Sequence, residues 1–132
     1  MAGTFKFELV SPERILLSGD AEQAVLPGSE GQMTVFAGHA PVVTTLRPGM
    51  IDVTIGGTAK KIFVKSGFAE IDHERVTVLA EKAYEQGELD PSRLADELRA
   101  AEAELADAKD DEAMLMAASA VEQLRALGGK AA

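Results

Sequence analysis

Residues 27–51 read PGSEGQMTVFAGHAPVVTTLRPGMI, and turn residues interrupt this stretch so often that only short strands fit between them. Pro27-Gly28, Glu30-Gly31, Ala37-Gly38, Ala40-Pro41 and Pro48-Gly49 bracket two apolar runs, 33–36 and 42–46. Gly permits positive φ and Pro fixes φ, so the chain must reverse after every few residues. The pattern predicts the hairpins of a compact β domain, with loop tips exposed for contacts.

The flanking sequence extends the same pattern in both directions. Upstream, 4–10 alternates Phe5, Phe7 and Leu9 with Lys6 and Glu8, the period of two of a half-buried strand. Ser11-Pro12 ends it, a short piece at 15–17 meets a turn at Ser18-Gly19-Asp20, and 21–26 leads into the central stretch. Downstream, 50–55 and 58–65 flank Gly56-Gly57, a two-residue hairpin signal. Ser66-Gly67 is read as another turn, followed by strands at 68–71 and 76–80. Eight to ten short strands at this spacing predict a sandwich or barrel.

Near Gln86-Gly87 the alternation stops and Ala, Glu, Leu and Asp take over, which divides the chain into 1–86 and 87–132. Asp90-Pro91 is a helix start: an Asp N-cap accepts from orphan backbone N–H groups, and Pro at the first helical position needs no donor. Leu94, Leu98, Ala101 and Leu105 then mark one apolar face. Lys109-Asp110-Asp111 supplies a turn and a second acidic cap. The following helix carries Met114, Ala117, Ala118, Val121 and Leu124 on a matching face and is expected to stop before Gly128-Gly129. The expected fold is therefore α+β in two segregated parts: an antiparallel β-sandwich of about ten strands, then an antiparallel helical hairpin of about four turns per arm. So small a hairpin is expected to be only marginally held.

Composition narrows the function. The chain has no cysteine among its 132 residues, which excludes disulfide staples and thiol chemistry and is compatible with a reducing compartment. No apolar run approaches the roughly 20 residues of a membrane-spanning helix, so a membrane link is expected to run through another protein. Asp and Glu outnumber Lys and Arg by 11 to 8 in 1–87 and by 11 to 5 in 88–132, giving −3 and −6 of the net −9. A nucleic-acid partner is disfavoured, because phosphate neutralisation needs clustered cations. Two histidines, His39 and His73, each in a turn, cannot build a multi-histidine metal site or a nucleophilic triad. Neither GxGxxG nor GxxxxGK[ST] is present, and a hydrolase working with a carboxylate pair finds no positive support. A protein without an active site of its own is expected.

Five blocks in order carry a more specific signal. Val10-Ser11 to Ser18-Gly19, Gly28-Ser29-Glu30-Gly31, Gly38-His39-Ala40-Pro41, Leu46-Arg47-Pro48-Gly49-Met50 and Val76-Thr77-Val78-Leu79-Ala80 resemble the epsilon subunit of bacterial F-type ATP synthase. The resemblance runs from Phe5 through the helical hairpin. It implies a non-catalytic rotor subunit, peripheral on the cytoplasmic face of the inner membrane, whose β-sandwich binds the gamma subunit and sits on the cytoplasmic loops of the c-ring. Ser29, Glu30 and Gln32 would form the ring-contact loop, with His39 in the neighbouring turn. Relatives often carry an acidic residue where this chain has Gln32, so a charge-assisted contact is lost there.

The resemblance also bears on the hairpin, which in the family extends along gamma to inhibit ATP hydrolysis and in some members binds ATP through an I/L-D-x-x-R-A motif. Leu89-Asp90-Pro91-Ser92-Arg93 matches, Leu94 replaces the alanine, and Arg99 and Arg125 are the further arginines. The alternative function is thus an ATP sensor holding nucleotide on Asp90, Arg93, Arg99 and Arg125. Asp90 is equally explained as an N-cap, and Arg93 is spaced to pair with Glu97 at i+4. Inhibiting relatives face acidic segments of the catalytic alpha and beta subunits with a basic second helix. Here Asp111, Glu112 and Glu122 outnumber Arg125, and inhibition is expected to be weak at most.

Overall fold

Strand β1 (Phe5–Val10) buries Phe5, Phe7 and Leu9 and exposes Lys6, as its alternation predicts. The computed structural model describes residues 3–131. The chain separates into two units, Met1–Glu85 and Gln86–Ala132. In the first, β1 is followed by β2 (Ile15–Gly28), β3 (Gly31–Val35), β4 (Val42–Leu46), β5 (Gly49–Ile55), β6 (Thr58–Ile71) and β7 (Arg75–Glu85).

Among the described residues the hydrogen-bonded strands number seven, against the expected ten, because β2, β6 and β7 each pass through both layers of the sandwich. One layer runs β3, the second half of β2, β5, the first half of β6 and the end of β7. The other runs the first half of β2, β1, the start of β7, the second half of β6 and β4. Counted by layer, ten strand segments enclose one apolar core that includes Phe7, Leu26, Ile51, Ile62 and Val78. One pairing departs from the antiparallel expectation: β1 lies parallel to β7. A parallel neighbour needs a long crossover, and here the whole intervening sandwich supplies it.

The turns expected at Ser18-Gly19-Asp20 and Ser66-Gly67 lie instead inside continuous strands. The register of β6 on β7 slips on both sides of Ser66, the mark of a bulge that bends a strand. Gly67 sits there at φ +155°, and a Cβ in its place would fall on the Leu79 carbonyl oxygen and 2.9 Å from the Ala80 Cα. Glycine here allows close approach of two backbones rather than chain reversal. Gly56-Gly57 does form the predicted two-residue turn, and the Gly57 amide donates to the Glu22 carboxylate at 3.0 Å.

The second unit opens with a 3-10 turn, Gln86–Glu88, before α1 (Pro91–Asp107) and α2 (Asp111–Ala131). Both acidic caps form: Asp90 accepts from the Arg93 amide at 2.9 Å, and Asp110 from the Ala113 amide at 2.7 Å. At 17 and 21 residues the arms make about five and six turns. α2 continues through Gly128-Gly129 instead of stopping before it. Glycine lowers helix propensity by about 1 kcal/mol without forbidding helical φ and ψ. Leu94 and Ala101 of α1 are buried, with Leu98 and Leu105 half-buried. In α2 the buried set is Ala117, Ala120, Val121 and Leu124, while Met114 and Ala118 are exposed. The stripe is turned from the expected one, a shift invisible to a composition so rich in alanine.

Candidate functional site: the 28–33 loop and the helical hairpin

The loop between β2 and β3 is a tight hairpin whose last paired residues are Gly28 and Gly31, leaving Ser29-Glu30 at the tip. Gly28 is buried, and a Cβ there would approach the Gly31 carbonyl oxygen to 2.8 Å and the Met33 side chain to 3.2 Å. Two backbone bonds stitch the hairpin to β4 and its exit: Ser29 N–H donates to Thr45 O at 2.9 Å, and Arg47 N–H to Pro27 O at 2.8 Å. The tip is therefore held by the sheet on two sides, which suits a surface that must keep its shape against a partner.

A groove of about 600 Å³ runs beside it, walled by 28–33 on one side and 42–45 on the other. Glu30 is its only charged lining residue; Ser29, Gln32, Thr44 and Thr45 add hydroxyl and amide groups, and Met33, Val42 and Val43 an apolar wall. Val43 is 66% exposed, the most open of the large apolar side chains described. The wall contributed by β4 was not singled out from sequence: 42–46 reads there only as a strand.

Ser29, Glu30 and Gln32 are thus brought together, whereas His39 lies beyond the far end of β3, a strand of about 17 Å by the usual rise. His39 Nδ1 is 2.6 Å from Ala40 O, within its own turn. The adjacent Gly38 amide donates to His73 O at 3.0 Å, tying the two histidine turns together. Asp72 organises the second of them, accepting from the Glu74 and Arg75 amides at 2.9 and 2.8 Å. Those two bonds, the Glu74 amide first, hold its carboxyl below the ordinary aspartate range.

The hairpin residues considered for nucleotide are distributed as follows. Asp90 is engaged as N-cap of α1, Arg99 pairs with Asp96 on the same helix, and Arg125 of α2 reaches Glu102 of α1 at 3.1 Å. Arg93 lies in the first turn of α1, where its amide is capped by Asp90. Among the described residues no cluster of three or more His, Asp or Glu is arranged to hold a metal, and no helix is long and apolar enough to cross a membrane.

The architecture is a β-sandwich with through-running strands, followed in the sequence by a two-helix hairpin. Residues 4–86 match the family model "ATP synthase, Delta/Epsilon chain, beta-sandwich domain". The chain is 45% identical over 128 residues to the ATP synthase epsilon chain of Parvibaculum lavamentivorans, covering 96% of this chain and 97% of that one. It is 47% identical over 130 residues to that of Mesorhizobium japonicum, with 98% and 96% covered. Among solved structures, a chain of the Euglena gracilis mitochondrial ATP synthase OSCP/F1/c-ring assembly superposes with a TM-score of 0.75 at 24% identity, covering all of this chain and 84% of that one. A chain of the Tetrahymena thermophila mitochondrial ATP synthase central stalk and c-ring gives 0.63 at 12% identity, with 97% and 96% covered. This chain belongs to the ATP synthase delta/epsilon chain family, and the fold expected from its sequence is the family's.

Proposed function

We propose that this chain is the non-catalytic central-stalk subunit that joins gamma to the c-ring of an F-type ATP synthase, so that proton flow through the membrane sector is coupled to ATP synthesis. The observation that carries it is the match to epsilon chains over 96–98% of the sequence, sandwich and hairpin alike. Ser29, Glu30 and Gln32, with the β4 wall of the groove, form the ring-facing surface; His39 serves the neighbouring turn. The subunit sits peripherally at the cytoplasmic face of the bacterial inner membrane, and its acidic hairpin restrains the catalytic alpha and beta subunits weakly at most. Full-length chain mixed with gamma at micromolar concentration is expected to co-elute with it and to co-purify with the catalytic subunits. Absence of gamma binding at that concentration overturns the proposal.

An ATP-sensing hairpin would use Asp90, Arg93, Arg99 and Arg125. Arg99 and Arg125 would then have to leave Asp96 and Glu102 for phosphate oxygens. Titration of millimolar ATP into the full-length chain is expected to give no heat and no change in Tm; a clear rise in Tm would establish the sensor.

A further inference from the structure

Leu46 stands between two glycines. Cross-strand register runs from Gly28 to Leu46, from Leu46 to Gly67 and from Gly67 to Ala80, and residues opposite each other on one face of a sheet lie about 4.5–5.5 Å apart. Neither glycine has room for a side chain: a Cβ at Gly28 would come to 2.8 Å from the Gly31 carbonyl oxygen, and one at Gly67 would fall on the Leu79 carbonyl oxygen, 2.9 Å from the Ala80 Cα. The bulk that these three strands share along the row therefore comes from Leu46, which is 2% exposed and belongs to the core.

The same residue sits at the centre of the attachment of the 28–33 hairpin to β4. Among the described residues the register of β2 on β4 is this one pair, Gly28 and Leu46. The bonds from Ser29 N–H to Thr45 O at 2.9 Å and from Arg47 N–H to Pro27 O at 2.8 Å lie one residue to either side of it. Two such bonds enclose an antiparallel pair of the closely spaced kind, with Cα atoms about 4.5 Å apart. On the far side β3 is the last strand of its sheet path, so the hairpin meets an open edge there and is backed by β4 alone. Removing the Leu46 side chain would open a cavity beneath a pair whose other member is glycine, with no neighbouring Cβ on the row to fill it. Ser29, Glu30 and Gln32 ride on this hairpin, whereas Leu46 is buried and out of a partner's reach.

Resting on the reading of 28–33 as the ring-facing loop, we propose that Leu46 is the positioning residue of that loop: it holds Gly28 against β4, and through Gly28 it fixes where Ser29, Glu30 and Gln32 stand. Residue-resolved hydrogen exchange of the full-length chain tests the first half. In the wild type the Ser29 and Arg47 amides are expected to exchange as slowly as strand amides, although they flank a loop tip; exchange as fast as that of Glu30 overturns the proposal. Leu46→Ala is expected to speed both amides by about tenfold or more relative to the rest of the sheet, and to leave Gly57, at the other hairpin, in step with it. Ile62→Ala removes the same number of carbons from a side chain that is 1% exposed and serves as control; it should lower Tm comparably without singling out Ser29 and Arg47. Leu46→Met, which keeps the volume, should restore both. If Leu46→Ala does not fold, Leu46→Val is read against Ile62→Val with the same expectations. The second half is read in the complex with gamma, where Leu46→Ala is expected to weaken binding to purified c-ring by about tenfold and Ile62→Ala to leave it unchanged. A wild-type complex that does not bind the ring refutes the ring-facing reading, and the exchange data then decide the role of Leu46 alone. Loosening of Ser29 and Arg47 no greater than in the Ile62 variant overturns the proposal, as does a folded Leu46→Ala complex that keeps the ring at wild-type affinity.

Discussion

Arg125 of α2 donates through Nη2 to Glu102 Oε2 of α1 at 3.1 Å, bridging two helices half of whose buried residues are alanine. The pair is open to solvent, 63% and 46% exposed, so it contributes about 0–1 kcal/mol and less in high salt.

Arg125→Ala is therefore expected to lower hairpin stability by under about 1 kcal/mol, and the difference should vanish in molar salt. Leu124→Ala removes a fully buried side chain and should cost about 2–5 kcal/mol, enough to melt a hairpin of this size while the β unit stays folded. Hydrogen exchange of 90–127 reads both. An Arg125→Ala effect as large as that of Leu124→Ala would show that charge, not packing, holds the arms.

At Gly67 the expected cost is larger still. Gly67→Ala drives a Cβ into the Leu79 carbonyl, backbone against backbone, where no rotamer change gives relief, and should destabilise the sandwich by about 3 kcal/mol or more. Gly31→Ala, also at positive φ but with nothing within 4 Å, should cost about 1–3 kcal/mol from conformation alone. Thermal unfolding of the two variants ranks them; equal Tm values would rule out the clash as the reason for glycine at 67.

Gly67 also marks where sequence reading stopped short. Alternation in 4–10 and β-branched 76–80 identified core strands because period two reports burial directly, and Asp90-Pro91 and Asp110 identified helix starts because a cap is a local interaction. A glycine that allows close approach reads the same as one that turns the chain, so 15–28 and 58–71 each looked like two strands. Of the 28–33 loop, the turn was legible from its glycines, and Ser29, Glu30 and Gln32 were singled out by the family resemblance. The β4 wall of the groove and the Gly28–Leu46–Gly67 row were not, since both are set by long-range register between strands distant in sequence.

Asp72 makes stability depend on pH at the β6–β7 turn. Its pKa is lowered from the ordinary 3.8, by the Glu74 amide and then the Arg75 amide. A depressed carboxylate contributes stability that is fully present above its unfolded-state pKa and is lost as pH falls through the folded value. Asp72→Ala should lower Tm at neutral pH, and the gap to wild type should narrow as acid carries both through the region below 3.8. Asp72→Asn keeps an acceptor without the charge and should fall between them. A gap independent of pH would mean that the carboxylate's charge plays no part in holding the turn.

Removing 88–132 tests what the hairpin does in the assembled enzyme. Every residue of the sandwich core lies between Phe5 and Ala83, so a chain ending at Gly87 should fold and bind gamma as the whole chain does. The proposal that the hairpin restrains the catalytic subunits weakly at most rests on the charge of its second helix. Here α2 carries three carboxylates, Asp111, Glu112 and Glu122, against Arg125 and Lys130. ATP hydrolysis by the complex reassembled with the truncated chain should therefore rise by less than about twofold, well under 1 kcal/mol at 1.36 kcal/mol per decade. A rise of tenfold or more would mean that the hairpin inhibits through packing strong enough to override its charge.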